Sequence, residues 1–394
     1  MPDVRPGPWL RLIAFGAAAA AALAVVSGAL SLHTAHRALA ALAVPPLAAL
    51  VASAWVAHRR LLRPAVAAFV FFLAAALATG RPLHVAFASL ALAAAAVAGA
   101  ATFRGARVPA ASWRDYVTLT KPRIMSLLLV TGACGMVVGA RGWPSTWTFA
   151  VTILGLALAC GGASALNHVI DRDIDQRMRR TDRRPVAAER VAPTRALEFG
   201  LALSALSFVL LASLVNVLTA VLALVGNLFY VFVYTRWLKR TTPQNIVIGG
   251  AAGAIPPLVG WAAATGDLTV PALLLFAVVF VWTPPHFWAL ALLIRRDYEA
   301  AGVPMLPVVR GERETTRQIV LCSGLLVATS AAPFLWGTLG PAYLLAALVL
   351  GAIFLALALG LRLETTPRRA ALLFHFSLLY LALLFAVMAV DAAV

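Results

Sequence analysis

Long apolar runs alternate with short polar segments along the whole chain. Each run has about 20 residues, the length that an α-helix needs to cross a bilayer. Before residue 103 the runs predict four transmembrane helices, near 10–32, 38–57, 64–79 and 84–102. After residue 123 they predict nine more, near 124–140, 147–171, 195–215, 217–235, 244–264, 270–294, 318–338, 342–361 and 370–390. The pattern therefore predicts an all-α polytopic membrane protein.

A basic stretch at 103–123 separates the two groups of helices. It contains four arginines and one lysine within 21 residues. We therefore expect three regions: a four-helix N-terminal membrane region at 1–102 with no role that the residues reveal, a basic cytoplasmic connector at 103–123, and a nine-helix domain at 124–394.

The distribution of basic residues predicts the orientation. If the N-terminus is cytoplasmic, only Arg37, Arg81 and Arg141 of the 32 Lys and Arg residues lie on the outer side. Such an excess on one side is the positive-inside pattern. It follows that the segments 167–195 and 286–317 emerge on the same, cytoplasmic side and can form one site.

Composition agrees with a membrane protein and excludes other classes. The chain is 62% hydrophobic with a mean hydropathy of +0.91, above the range of soluble domains. Its net charge of +17 sits in short loops between apolar spans, so we do not expect nucleic acid as a partner. The three cysteines lie in separate spans without C-x-x-C spacing, which favours neither a disulfide framework nor a thiolate metal site.

Three polar side chains at four-residue spacing end the second of the nine helices. Four helical residues turn about 400° and rise about 6 Å, so Asn167, Asp171 and Asp175 share one stripe, whereas Asp173 lies opposite. Carboxylates are unfavourable at membrane depth and at the negative end of a helix, so a cation is expected beside them. Mg²⁺ prefers such oxygen ligands together with phosphates, and the arginines that follow suit a diphosphate.

An alternative is a solvated helix end without chemistry. Asp171 and Asp175 would then pair with nearby arginines, and Asp173 with Arg177 at i+4. This alternative explains Asp173 but leaves the stripe unexplained. The candidate arginines are Arg172, Arg177, Arg179 and Arg180.

A second charged region ends the span near 270–294. Asp297 is predicted at the C-terminal end of that helix, and His286 lies about three turns before it. His286 fits a hydrogen-bonded core residue, a ligand of haem iron or a group that moves a proton. The pairs Pro256-Pro257 and Pro284-Pro285 are expected to interrupt two neighbouring spans and to border a central chamber.

These stretches together resemble a known family. They are YVTLTKPRI at 116–124, NHVIDRDID at 167–175, RTDRRP at 180–185, PHFWAL at 285–290, and DY at 297–298 with GVPMLPVVRG at 302–311. The chain resembles the protohaem IX farnesyltransferases, the haem O synthase branch of the UbiA-type intramembrane prenyltransferases, over about residues 112–392.

The resemblance implies a nine-helix UbiA-type bundle with an active site near its cytoplasmic face. It implies Mg²⁺ as the cofactor, held by Asn167, Asp171, Asp175 and Asp297. It also implies substrate contacts from Lys121, Arg123, Arg180 and Arg184 on a diphosphate, and from His286, Trp288 and Tyr298.

The implied reaction transfers the farnesyl group of farnesyl diphosphate to a vinyl group of haem B, which gives haem O. The implied location is a bacterial cell membrane, with haem A synthase or terminal oxidase assembly as candidate partners. Within the same class, an enzyme that prenylates an aromatic acid or quinone precursor is the alternative. A transporter is a second alternative, although we find no inverted pair of interrupted spans.

Overall fold

The structure is a computed structural model. It describes residues 51, 65–71, 91, 94 and 111–394. Residues 65–71 are helical, as expected for the predicted helix near 64–79. The remainder of the predicted four-helix region at 1–102, and residues 103–110 of the predicted connector, lie outside the described residues.

Helices make up most of the 111–394 region. In chain order they are α1 (Trp113–Thr120), α2 (Pro122–Ala140), α3 (Thr146–Ile170), α4 (Arg172–Asp175), α5 (Pro193–Leu214), α6 (Val217–Thr241), α7 (Asn245–Thr265), α8 (Val270–Leu293), α9 (Arg295–Ala300), α10 (Leu306–Val309), α11 (Gly311–Leu335), α12 (Pro341–Leu363) and α13 (Pro367–Ala393). Nine of these, within the described residues, are long and apolar enough to cross a membrane: α2, α3, α5, α6, α7, α8, α11, α12 and α13. The chain is therefore an integral, multi-pass membrane protein.

The predicted nine spans are confirmed, and their bounds differ most at the end of α6, which is Thr241 rather than near 235, and at the start of α11. Helix α11 begins at Gly311 rather than near 318, because its polar first turns continue the helix beyond the apolar run. Residues 113–120 of the predicted connector form α1, and the hydroxyl of Ser164 donates to the carbonyl of Leu119 at 2.7 Å. The last part of the connector thus packs on α3 as part of the bundle.

Small residues let neighbouring helices approach closely, which is how helices associate in lipid. Helix α3 packs on α5, α6 on α5 and α7, and α2 on α7 and α13. A Cβ added to Gly260 of α7 would lie 1.9 Å from the carbonyl oxygen of Gly132 in α2. A Cβ added to Gly162 of α3 would lie 2.8 Å from the carbonyl oxygen of Gly200 in α5. These contacts fix the helices that surround the site.

The last part of α6 is a π-helix, Phe229–Leu238. Hydrogen bonds from i to i+5 widen the turn, and such segments occur mostly at functional sites. With roughly 4.4 residues per turn, Tyr230 and Lys239 lie on the same face. In an α-helix the same nine residues turn about 900°, which would place the two side chains on opposite faces.

The double prolines lie inside continuous helices, so the expected interruption of two spans was wrong. Helix α7 runs through Pro256-Pro257 and α8 runs through Pro284-Pro285. Pro256, Thr283 and His286 nevertheless line a cavity, so the expected chamber is present beside both helices.

Candidate functional site

A cavity of about 620 Å³ lies between the helices and contains most of the predicted site residues. Part of its wall is charged or polar: Lys121, Arg123, Asn167, Asp175, Arg180, Arg184 and Lys239. Another part is apolar and aromatic, with Trp282, Phe287 and Phe374 around His286. One cavity therefore connects a charged cluster with an aromatic chamber.

The predicted polar stripe is confirmed. Helix α3 ends at Ile170, but the backbone N–H of Asp171 donates to the Asn167 carbonyl and that of Asp175 donates to the Asp171 carbonyl, both at 2.8 Å. The helical rise therefore continues into α4, and the side-chain amide of Asn167 donates to Asp171 Oδ2 at 2.8 Å. All three side chains are buried, whereas Asp173 is exposed on the other side.

Three cations compensate the stripe. Lys121 Nζ donates to Asn167 Oδ1 at 2.6 Å, Lys239 Nζ donates to Asp171 Oδ2 at 2.5 Å, and Arg184 Nη1 lies 2.8 Å from both oxygens of Asp175. Burial lowers the pKa of the Lys121 ammonium well below its usual value, and the positive charge of Arg184 lowers it further. These contacts concentrate positive charge where a polyanion would be bound.

The alternative of a solvated helix end predicted different partners. Asp171 and Asp175 are paired with Lys239 and Arg184, not with the arginines adjacent in sequence. Asp173 pairs with Arg240 rather than with Arg177, because the chain turns after α4. The hydrogen bonds from Arg240 lower the pKa of Asp173 to about 2. The alternative is therefore right that Asp173 pairs with an arginine, but it names the wrong one. It does not account for the buried Asp171 and Asp175.

The donor set fits a divalent cation that also binds phosphate. Among the residues that the structure describes, no three His, Cys, Asp or Glu side chains form a metal-binding group. Asp171 Oδ1 is nevertheless buried without a hydrogen-bond partner, and the two carboxylates with the Asn167 amide supply hard oxygen donors. Mg²⁺ is typically bound by one or two carboxylates and by substrate phosphates, so this donor set suits it.

Three predicted site residues are not part of the cavity wall: Asp171, Asp297 and Trp288. Asp171 is fully buried and contacts Asn167 and Lys239, which do line the cavity. The chain turns at Ile294, and Asp297 lies in the first turn of the new helix α9, so its expected position at a helix C-terminus was wrong. Asp297 Oδ2 accepts a hydrogen bond from the Arg180 backbone at 3.3 Å and is not part of the cavity wall. Trp288 is buried in the hydrophobic core instead of the cavity wall, because a residue two positions after His286 turns about 200° away.

The other predicted contacts line the cavity. Arg123, Arg180 and Arg184 are there, and so is Tyr298, whose pKa is raised by burial. His286 is 7% exposed, and its ring stacks on Trp282 with centroids 4.3 Å apart.

Sequence reasoning missed the contribution of α6. Lys239 contacts Asp171, and Thr235 Oγ1 accepts a hydrogen bond from the Asn167 amide at 3.1 Å. Tyr230 and Tyr234 stack with centroids 5.5 Å apart and line the cavity. The sequence shows a basic run at 236–240. With α-helical spacing, however, nothing predicts that its side chains contact the Asn167/Asp171/Asp175 stripe.

Comparison with known proteins identifies relatives over the same region. The model of the UbiA prenyltransferase family matches residues 128–385. A protein named protohaem IX farnesyltransferase from Symbiobacterium thermophilum is 56% identical over 280 residues, which cover 71% of this chain and 94% of the relative. Another of that name, from Thermus thermophilus, is 53% identical over 296 residues, 75% of this chain. That match covers 48% of the Thermus protein, so the chain spans about half its length.

Solved structures share the fold at low identity. A chain described as digeranylgeranylglyceryl phosphate synthase aligns with a TM-score of 0.60 at 18% identity, covering 71% of this chain and 98% of that one. A UbiA homologue from Archaeoglobus fulgidus, described as bound to GPP and Mg²⁺, aligns with a TM-score of 0.54 at 19% identity, covering 70% and 99%. These similarities establish the arrangement of the nine helices.

Proposed function

The chain belongs to the UbiA prenyltransferase family, and from this premise we propose that it is a protohaem IX farnesyltransferase. It transfers the farnesyl group of farnesyl diphosphate to a vinyl group of haem B and releases diphosphate. The product is the hydroxyethylfarnesyl haem, haem O. The relatives at 53% and 56% identity that carry this name support the choice of substrates.

The observation that carries the proposal is a single cavity with two kinds of wall. Basic side chains contact the Asn167/Asp171/Asp175 stripe, of which Asn167 and Asp175 line the cavity. Aromatic rings surround His286 in another part of the same wall. A prenyl diphosphate has a matching division between a charged head and an apolar chain. A porphyrin likewise needs a broad apolar surface beside the reacting carbon.

The charged wall would hold the leaving group. Asn167, Asp171 and Asp175 are the residues that would hold Mg²⁺, while Asp297 remains a predicted fourth ligand on the basis of resemblance alone. Bound Mg²⁺ would act as a Lewis acid that neutralises charge on the departing diphosphate. Lys121, Arg123, Arg180 and Arg184 would donate to the phosphate oxygens, and an arginine does so through paired hydrogen bonds.

The reaction begins as the C–O bond of farnesyl diphosphate breaks and diphosphate departs with the electron pair. The allylic cation that remains is attacked by the haem vinyl group, which forms a new C–C bond and moves the positive charge to the carbon next to the porphyrin. Water adds to that carbon and loses a proton, which gives the hydroxyl of haem O. The basic wall stabilises the diphosphate as its negative charge develops.

The aromatic wall would protect the cation. Trp282, Phe287 and Phe374 present π faces that attract positive charge, and they also exclude water from most of the chamber. Water must reach only the last step, so a largely dry cavity favours prenyl transfer over hydrolysis of the substrate.

Orientation and partners follow from the charge pattern and the resemblance. The positive-inside distribution supports a charged wall on the cytoplasmic side, and the bacterial sources of the relatives support a bacterial cell membrane. An interaction with haem A synthase or with the assembly of a terminal oxidase is still a prediction.

The decisive experiment uses the purified full chain in detergent with haem B, farnesyl diphosphate and Mg²⁺. Mass spectrometry should detect haem O and diphosphate, and chelation with EDTA should stop their formation. Hydroxybenzoate in place of haem B tests the alternative acceptor class. Prenylated hydroxybenzoate without haem O would refute the proposal in favour of the aromatic-acid alternative, and no prenylated product from either acceptor would refute it outright.

A further inference from the structure

His286 forms a hydrogen bond through Nδ1 with Ser377, which the sequence analysis did not predict as a site residue. Ser377 of α13 lies 91 positions away, and its Oγ is 2.6 Å from His286 Nδ1. The same Ser377 Oγ is 2.6 Å from the carbonyl oxygen of Phe374. Trp282 Nε1 donates to the Ser377 carbonyl at 2.8 Å, which fixes the serine backbone in turn.

These two distances determine which histidine nitrogen carries the proton. Two oxygens 2.6 Å apart need a proton between them, so the single hydroxyl proton of Ser377 is donated to the Phe374 carbonyl. Ser377 Oγ therefore has only lone pairs to offer His286. A nitrogen 2.6 Å from that oxygen must itself donate, so the proton of the neutral imidazole is on Nδ1.

The Nε2 atom then carries no proton and presents a free lone pair. Within the described residues Nε2 has no hydrogen-bond partner. It is also not one of the fully buried unpartnered polar atoms, so it remains accessible. His286 lines the cavity, and its ring stacks on Trp282 and on Phe374, with centroids 4.3 and 4.9 Å away. A rigid imidazole with a free Nε2 at a cavity wall is the arrangement of a metal-binding histidine, whose other nitrogen donates to a fixed acceptor.

We propose that Ser377 is a positioning residue that holds His286 in the Nδ1–H tautomer, so that Nε2 coordinates the iron of the haem substrate. This inference rests on the proposed function, because it takes haem B as the acceptor. His286 is the one histidine among the described residues of the cavity wall. Coordination of the iron would fix the plane of the porphyrin relative to the charged wall and so select the vinyl group that reacts.

Haem binding tests the proposal without relying on turnover. Purified wild type and variants are titrated with haem B, and absorption and electron paramagnetic resonance spectra report the iron ligand. We expect the imidazole signature in wild type, its loss in His286→Ala, and its return when imidazole is added to His286→Ala. Ser377→Ala should weaken haem affinity about 10-fold to 100-fold, the usual effect of removing the partner of a ligating histidine. Ser377→Thr keeps the hydroxyl and should keep the signature.

Ser330→Ala is the matched control, because Ser330 is a buried serine that bonds to Tyr380 away from the cavity wall. It should leave the haem spectrum unchanged. If His286→Ala binds haem B with wild-type spectrum and affinity while wild type still makes haem O, iron coordination is refuted and the proposed function stands. If Ser377→Ala keeps the wild-type haem spectrum and affinity while His286→Ala loses them, the positioning role of Ser377 is refuted. If wild type neither binds haem B nor makes haem O, the proposed function fails first.

Discussion

The contact between Lys239 and Asp171 permits a quantitative prediction. Asp171 is 0% exposed, and its Oδ2 lies 2.5 Å from Lys239 Nζ. Lys239→Met would remove one partner and leave a buried carboxylate, which costs about 3–5 kcal/mol of unfolding free energy in comparable pairs. The amide of Asn167 still donates to Asp171, and Arg240 Nη2 remains 3.8 Å from Oδ1. We therefore expect the lower value, about 3 kcal/mol.

A double-mutant cycle separates this pair from general disruption. Asp171→Asn removes the charge that Lys239→Met leaves behind, so the double variant should recover about 2 kcal/mol relative to the sum of the single variants. The measurement is denaturant unfolding of the full chain in mixed micelles, followed by tryptophan fluorescence. Glu364→Gln is the control, because its pair with Arg369 has a similar distance of 2.7 Å but is solvent-exposed. It should cost less than about 1 kcal/mol.

Equal stability of Lys239→Met and Glu364→Gln would refute the predicted role of the lysine. The role would also be refuted if the free-energy changes of Lys239→Met and Asp171→Asn simply added in the double variant. Either result would mean that the charge of the buried Asp171 carboxylate is compensated by a group other than Lys239.

Three further outcomes are expected. Asp175→Asn should abolish Mg²⁺-dependent formation of haem O while the protein still inserts and purifies, and full turnover would contradict the metal-binding role. Gly260→Ala should destabilise the chain by about 3 kcal/mol or more, because its Cβ would lie 1.9 Å from the backbone of Gly132. Gly253→Ala in the same helix meets no atom within 4 Å and should be tolerated in the same unfolding assay. Trp288→Phe should leave the affinity for haem B unchanged in a spectroscopic titration, because Trp288 is in the core.

The membrane helices and the polar stripe could be predicted because each follows from local geometry. Lipid requires an unbroken apolar run for every crossing, and about 400° per four residues places Asn167 and Asp171 together in any α-helix. No assumption about neighbouring helices is needed for either conclusion. The match between the predicted spans and the nine described helices has this origin.

The parts that sequence reasoning missed depend on packing or on a change of helix type. The bond between His286 and Ser377 joins two helices that only the packing of the bundle brings together. Asp297 was misplaced because nothing in the apolar run indicates the turn at Ile294. Trp288 follows His286 by two residues, so it lies about 200° around the helix and packs in the core, a placement that the resemblance of the motif does not indicate.

The π-helical turn in α6 has a consequence for insertions and deletions. Over the nine steps from Tyr230 to Lys239, the wider turn rotates the following side chains by roughly 160° relative to an α-helical continuation. Removal of a single residue from 229–238 would rotate Lys239 by roughly 80–100° away from Asp171, although the length and hydropathy of the span would hardly change. A chain altered in this way would keep its membrane topology and lose the cation that balances its buried carboxylate.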